Sequence, residues 1–319
     1  MKRLTAILLI LLSAIAIQFG CKAVGSNRKI SVVCTIFPQY DWVRQILGDT
    51  ADRMDITLLL HNRIDLHNYQ PSVDDIIQIS ACDLFIHVGG ESDGWVNDVL
   101  KKKTNKNMIV INLLGILGSA AKSEEIMEGM EKKEHEDNDE AEYDEHVWLS
   151  LKNAQKFCAA IADALASLDA DNAQVYRDNL RTYIEKLSVL DAEYQTTVDT
   201  YRPITLLFGD RFPFRYLADD YGLRYYAAFP GCSAETEASF ETIIFLAGKM
   251  DALKLINIMV TESADRSIAR TIRDNTAGKN QQILALDSMQ SVTGDDIANG
   301  AAYLSIMEHN LSVLKEALN

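Results

Sequence analysis

DNAQVYRDNLRTYIEKLSVLDAEYQTTVDT, residues 171–200, decides how this chain is organised. The stretch holds neither Pro nor Gly, and Tyr176, Leu180, Tyr183, Leu187, Leu190 and Tyr194 recur at alternating steps of four and three. That spacing lays one apolar stripe along a helix. At ~1.5 Å per residue the helix is about 45 Å long, enough to run along two lobes. A coiled-coil dimer is the rival reading, but the stripe covers fewer than three heptads, so a stiff strut within a monomer is expected. Pro203 marks the entry to the second lobe.

Short β-rich apolar runs alternate with helical patterns on both sides of the strut. Before it come Ile30–Val33, Ile56–Leu60, Leu84–Val88 and Met108–Ile111; after it, Ile204–Phe208, Leu223–Phe229, Ile256–Val260 and Ile283–Leu286. Alternation of this kind predicts parallel α/β architecture, and continuous apolar runs predict strands covered on both faces. The expected fold is therefore two α/β lobes, each with a four-stranded parallel sheet. Residues 30–168 form the first lobe, 169–202 the linker helix and 203–319 the second lobe.

The N-terminus sets the compartment. Lys2 and Arg3 precede an apolar run from Leu4 to Phe19, too short for a comfortable membrane span but matching a secretory signal. The run ends at Gly20-Cys21, as in bacterial lipoprotein signals, although Gln18 stands where a leucine is usual. Residues 1–20 are read as the signal, Cys21 as the lipidated first residue of the mature chain, and 21–29 as a tether. An ordinary cleaved signal is the alternative.

The formal net charge is −15, and loss of Lys2 and Arg3 with the signal makes it −17. So acidic a chain argues against nucleic acid as a partner and suits a cation as cargo. No CxxC motif or dense cysteine framework is present, so disulfides are not what holds the fold together. Cys34, Cys82 and Cys158 lie in apolar stretches and are expected to be buried; a Cys34–Cys82 bridge is left open. Glu124 to Glu145 holds twelve acidic residues among twenty-two, with His135 as its one histidine. It is read as a mobile, solvated loop, with low-affinity metal collection as the alternative.

Open parallel sheets bind ligands outside the carboxyl ends of their strands. Four candidate metal ligands fall there: His67 in IDLHNYQPS, His146 in DEHVWLSLKNA, Cys232 in FPGCSAETEAS and Asp287 in LALDSMQS. Imidazole, thiolate and carboxylate are ordinary ligands of tetrahedral zinc, and their convergence on one edge of two sheets is the signal. His61 is a weaker candidate, whereas His87 on a strand and His309 on the last helix read as structural.

TIFPQYDWVRQILGD, IDLHNYQPSVDDI, DLFIHVGGESDGWV, DEHVWLSLKNA, FRYLADDYGL and LALDSMQS, in this order and spacing, resemble the metal-binding solute receptors of zinc and manganese ABC importers, and among them the zinc-specific branch. The resemblance implies two α/β lobes joined by a long rigid helix, with a metal in the cleft between them. It implies zinc as cargo, with manganese less favoured, and an ABC importer permease in the cytoplasmic membrane as partner. It carries the ligand roles to His67, His146 and Asp287. It also implies a second-lobe His or Glu ligand, but that position holds Arg211, and a guanidinium cannot ligate a cation. Cys232 ranks first as substitute, ahead of the neighbouring Asp210 and of water.

Three other functions compete. A zinc with three protein ligands and a water is a hydrolase arrangement, yet HExxH and G-x-S-x-G are both absent. A surface adhesin lipoprotein is the second. A receptor whose cleft has lost its metal, with Arg211 bringing positive charge, is the third.

Overall fold

The computed structural model describes residues 28–61, 63–131, 142–201, 204–233 and 237–318. Among the described residues eight strands form: β1 (Ile30–Cys34), β2 (Met54–Leu58), β3 (Leu84–His87), β4 (Ile109–Asn112), β5 (Thr205–Phe212), β6 (Arg224–Pro230), β7 (Asn257–Thr261) and β8 (Gln282–Leu286). Between and after them run α1 (Phe37–Leu47), α2 (Val73–Ala81), α3 (Val96–Lys101), α4 (Leu113–Leu117), α5 (Leu151–Leu168), α6 (Ala173–Tyr201), α7 (Arg215–Tyr221), α8 (Phe240–Leu253), α9 (Ser267–Asn275), α10 (Gly294–Ala298) and α11 (Tyr303–Leu318).

The strands build two four-stranded parallel sheets, ordered β2-β1-β3-β4 and β6-β5-β7-β8. The same order occurs twice, so the lobes are topological copies. Helices cover both faces, and every residue of β3 and β7 is buried accordingly. All eight expected strands form, with ends shifted by up to two residues in all but one case. The exception is β5, which continues past Phe208 to Phe212. Phe208 pairs with Ala227 and Arg211 with Phe229, so one extra residue is accommodated on β5 between them. A bulge of this kind bends a strand and re-aims the side chains beyond it.

The strut is α6, about 43 Å long at ~1.5 Å per residue. Tyr176, Tyr183, Leu187, Leu190, Tyr194 and Val198 form its buried face. Its first half packs on α1 and α5, and Asn179 Nδ2 donates to Ile46 O at 2.9 Å. Its second half meets α11 and α7: Tyr194 Oη donates to Met307 O and Tyr221 Oη to Asp191 Oδ1, both at 2.7 Å.

The core does not stop at the lobe boundary. One apolar cluster runs from Val32 and Trp42 through Trp148, Tyr194 and Tyr303 to Leu206 and Leu286. Trp42 and Tyr303 meet edge to face at 5.1 Å. The polar atoms of the junction are matched: Tyr303 Oη donates to Trp148 O at 2.7 Å, Trp148 Nε1 to Ser288 O at 2.9 Å and the Tyr303 amide to Asp41 at 3.0 Å. A second cluster lies between the second sheet and helices α8 and α9.

The acid-rich segment is not a solvated loop over its first part. Residues 122–131, from the first lobe, lie across the second. Met130 is buried, the Glu131 amide donates to Ala228 O at 2.9 Å, and Glu131 accepts from the Ser239 amide at 2.5 Å. Glu125 pairs with Arg215 and accepts from Tyr225 Oη, while Glu128 pairs with Lys249 at 3.1 Å. The acidic side chains therefore meet fixed cations and donors of the other lobe, and Met127 and Met130 supply apolar anchors that composition alone concealed. Residues 132–141, His135 among them, lie outside the described residues.

Cys34, Cys82 and Cys158 are buried free thiols, so Cys34 and Cys82 are not bridged. Cys21 lies outside the described residues, among which no helix is long and apolar enough to cross a membrane.

Candidate metal centre

His67 lies on a short 3-10 turn, Leu66–Asn68, in the loop after β2. Asp65 caps this turn, its Oδ1 accepting the His67 amide at 3.0 Å. The ring is held by its Nδ1, 2.8 Å from Ser92 Oγ in the loop after β3. His146 follows Asp144 and Glu145 and is fully buried. Asp144 Oδ1 accepts both the His146 amide, at 2.9 Å, and the ring Nδ1, at 3.0 Å. With both Nδ1 atoms engaged, the two Nε2 atoms face each other at 3.3 Å.

The second lobe brings Cys232 to this pair. Its loop follows β6, and Gly231 lets it come close: a Cβ there would lie 2.8 Å from Phe212 O and 3.2 Å from the His146 ring. The Cys232 amide donates to Glu124 Oε1 at 2.7 Å, so the segment crossing from the first lobe also holds this loop. Ligand atoms of His67, His146 and Cys232 all lie within 4.8 Å of one another, the spacing of a metal's donor set. Burial pushes the Cys232 thiol well above its ordinary pKa, and the carboxylates of Asp144 and Glu124 add to the rise. Without a metal, this thiol stays protonated.

Asp287, the fourth candidate, stands outside that trio. Its Oδ1 accepts the Met289 amide at 2.7 Å, and its backbone is clasped by Asn310 through two 2.8 Å bonds. Burial and the neighbouring Glu262 carboxylate raise its pKa to about 6. Asp210 is engaged elsewhere: its Oδ2 accepts from the amide of Thr261 at 3.0 Å and from its hydroxyl. Arg211 instead reaches the opposite lobe, 2.8 Å from Asp65 Oδ2, and donates to Ser233 O at 3.3 Å. Burial alone would raise the Asp65 carboxyl, but the Arg211 guanidinium and His67 bring it below the ordinary range. His61 turns its Nδ1 to the carbonyls of Leu58 and Leu59, and His87 pairs with the buried Asp93 at 3.2 Å, so both serve the fold.

Two cavities flank the donors. One, of about 450 Å3, is lined by His67, Cys232, Trp95, Glu91, Glu142 and Glu145, a carboxylate-rich approach suited to a cation. The other, of about 340 Å3, holds Asp65, Arg211, Asp210 and Arg266. Sequence reasoning missed the supporting residues Asp65, Ser92, Asp144, Glu145 and Gly231. Only Asp144 carried a signal, through its place two residues before His146.

Residues 32–317 match the family model described as zinc-uptake complex component A, periplasmic. The zinc-binding lipoprotein AdcA of Streptococcus pneumoniae is 29% identical over 91% of this chain, which spans 56% of that protein's length. The high-affinity zinc uptake system protein ZnuA of Bacillus subtilis is also 29% identical, over 91% of this chain and 88% of that protein. The crystal structure of the Zn(II)-bound ZnuA-like domain of the pneumococcal AdcA superposes with a TM-score of 0.70 at 27% identity, covering 91% of this chain and 99% of that domain.

Proposed function

The chain belongs to the family of zinc-uptake component A, and from that membership we propose that it is a membrane-anchored receptor that captures zinc outside the cytoplasm and delivers it to an ABC importer. The observation that carries this reading is the convergence of His67, His146 and Cys232, two imidazoles from one lobe and a thiol from the other. Two imidazoles and a thiolate favour zinc over manganese, since a soft donor gains manganese little. The relatives' names, zinc-binding lipoprotein and zinc uptake protein, agree with it. Lipidation at Cys21 and a permease partner complete the proposal.

The fourth coordination position falls to Asp287 or to a water molecule. Capture requires little movement, because the continuous core and α6 hold the lobes at one spacing. The test is zinc titration of the purified mature protein by calorimetry, with metal content measured before and after chelation. One tightly bound zinc per chain is expected, and His67→Ala, His146→Ala and Cys232→Ser should each weaken binding at least a hundredfold. Absence of stoichiometric zinc in the wild-type protein, or unchanged affinity in all three variants, overturns the proposal.

A further inference from the structure

A neutral imidazole has one bare nitrogen, and only that nitrogen can take a metal. In His67 the nitrogen facing His146 is Nε2, so metal capture requires the proton on Nδ1. Ser92 does not decide this. Its hydroxyl, 2.8 Å from Nδ1, donates or accepts equally well and fits either tautomer. Glu145 does discriminate. Its side chain is buried, with the residue 2% exposed, and Oε2 forms no hydrogen bond yet faces Nδ1 at 3.4 Å. A buried carboxylate oxygen without a donor is costly, and beside the Ser92 hydroxyl, which also reaches this carboxylate, a proton on Nδ1 is the donor that faces Oε2.

The carboxylate is also held in place. Oε1 accepts the Ser92 amide at 2.9 Å. Gly90, at φ +84°, closes over it so tightly that a Cβ would lie 2.3 Å from Oε1. Asp144 bears the same relation to His146, at 3.0 Å from its Nδ1. Partners of this kind fix the tautomer and the ring orientation of metal-ligating histidines.

We infer that Glu145 is a positioning residue that holds the proton of His67 on Nδ1 and so keeps Nε2 bare for the metal. Three consecutive residues, Asp144, Glu145 and His146, then supply one ligand and the orienting carboxylates of both histidines. The inference rests on the zinc-receptor reading for its purpose, but its test does not depend on zinc. In metal-free protein labelled with 15N-histidine, at a pH where the ring is neutral, long-range proton–nitrogen correlation reports the tautomer; His67→Ala identifies the signal.

The wild type should carry a protonated Nδ1 and a bare Nε2 at His67. Glu145→Gln, which keeps an acceptor for the Ser92 amide and turns an NH2 donor toward Nδ1, should move the proton to Nε2 and weaken zinc binding tenfold or more. Glu145→Asp should recover part of both, and Ser92→Ala should leave the tautomer as in wild type. A proton on Nε2 in the wild type, or a Glu145→Gln variant with unchanged tautomer and affinity, overturns the inference. So does loss of the tautomer in Ser92→Ala alone. If the wild type bound no zinc, the receptor reading would fail while the tautomer measurement still decided the role of Glu145.

Discussion

Arg211, on the second lobe, is paired with Asp65 on the first at 2.8 Å, and the same carboxylate accepts the backbone amide of His67. The residue at the position of the missing ligand thus fastens the turn that carries a ligand. Both side chains are less than one-fifth exposed, so the pair is only partly screened. A double-mutant cycle with Arg211→Ala and Asp65→Ala, followed by denaturant unfolding, should give a coupling of about 1–2 kcal/mol. Additive effects within ~0.5 kcal/mol would mean that the pair does not hold the lobes together.

Zinc affinity should depend on pH through Cys232. The metal-free thiol keeps its proton because burial and nearby carboxylates disfavour the thiolate. Binding must expel that proton, so affinity should rise about tenfold per pH unit across the neutral range. Cys232→Ser should flatten the slope, and zinc should protect Cys232 from alkylation. Equal alkylation rates with and without zinc would remove Cys232 from the ligand set.

The pair Asp287 and Glu262 should appear in the pH dependence of metal-free stability. Burial and Glu262 raise Asp287 to about 6, above its unfolded value, so the folded state holds the proton more tightly. This contribution to stability is present below pH ~4 and is lost as pH rises through ~6. Asp287→Asn should therefore stabilise the metal-free protein at pH 7, by about 1–2 kcal/mol after allowance for its partial exposure, and change little at pH 4. The same variant also decides the fourth coordination position. A zinc affinity equal to wild type assigns it to water.

Met130→Ala should cost about 2–3 kcal/mol, as for a buried side chain cut to a methyl group. The same loss should speed alkylation of Cys232, because the segment ending at Met130 also carries Glu124, which holds the Cys232 amide. A stable variant with unchanged thiol reactivity would separate the packing of this segment from the order of the Cys232 loop.

The sequence pattern reveals what is periodic or local. Val- and Ile-rich runs mark the strands, the step-of-three-and-four stripe marks α6, and Asp144 announces itself two residues before His146. What depends on distant partners is not legible. Nothing near Ser92 indicates that it meets His67, and Arg211 shows no sign of reaching for Asp65. Composition misleads at Glu124–Glu131. Acidic side chains in series read as solvated, but Arg215, Lys249, Tyr225 and the Ser239 amide, about 90 to 120 residues away, fold them onto the second lobe. The end of β5 eludes the pattern for another reason: a bulge breaks the strand's period between Phe208 and Arg211.

The apolar cluster joining Trp42, Trp148, Tyr194 and Tyr303 leaves neither lobe with a finished surface of its own. Splitting the chain after α6 would expose apolar surface on both halves, and wide gaping of the lobes would open that shared interior. If the chain delivers zinc as proposed, a body this stiff would release it through small parts. The compliant pieces at the donors are the Leu66–Asn68 turn and the loop around Cys232, each tethered by a few hydrogen bonds. On the receptor reading, freeing one such tether would open the donor set while the body of the protein stayed as it is.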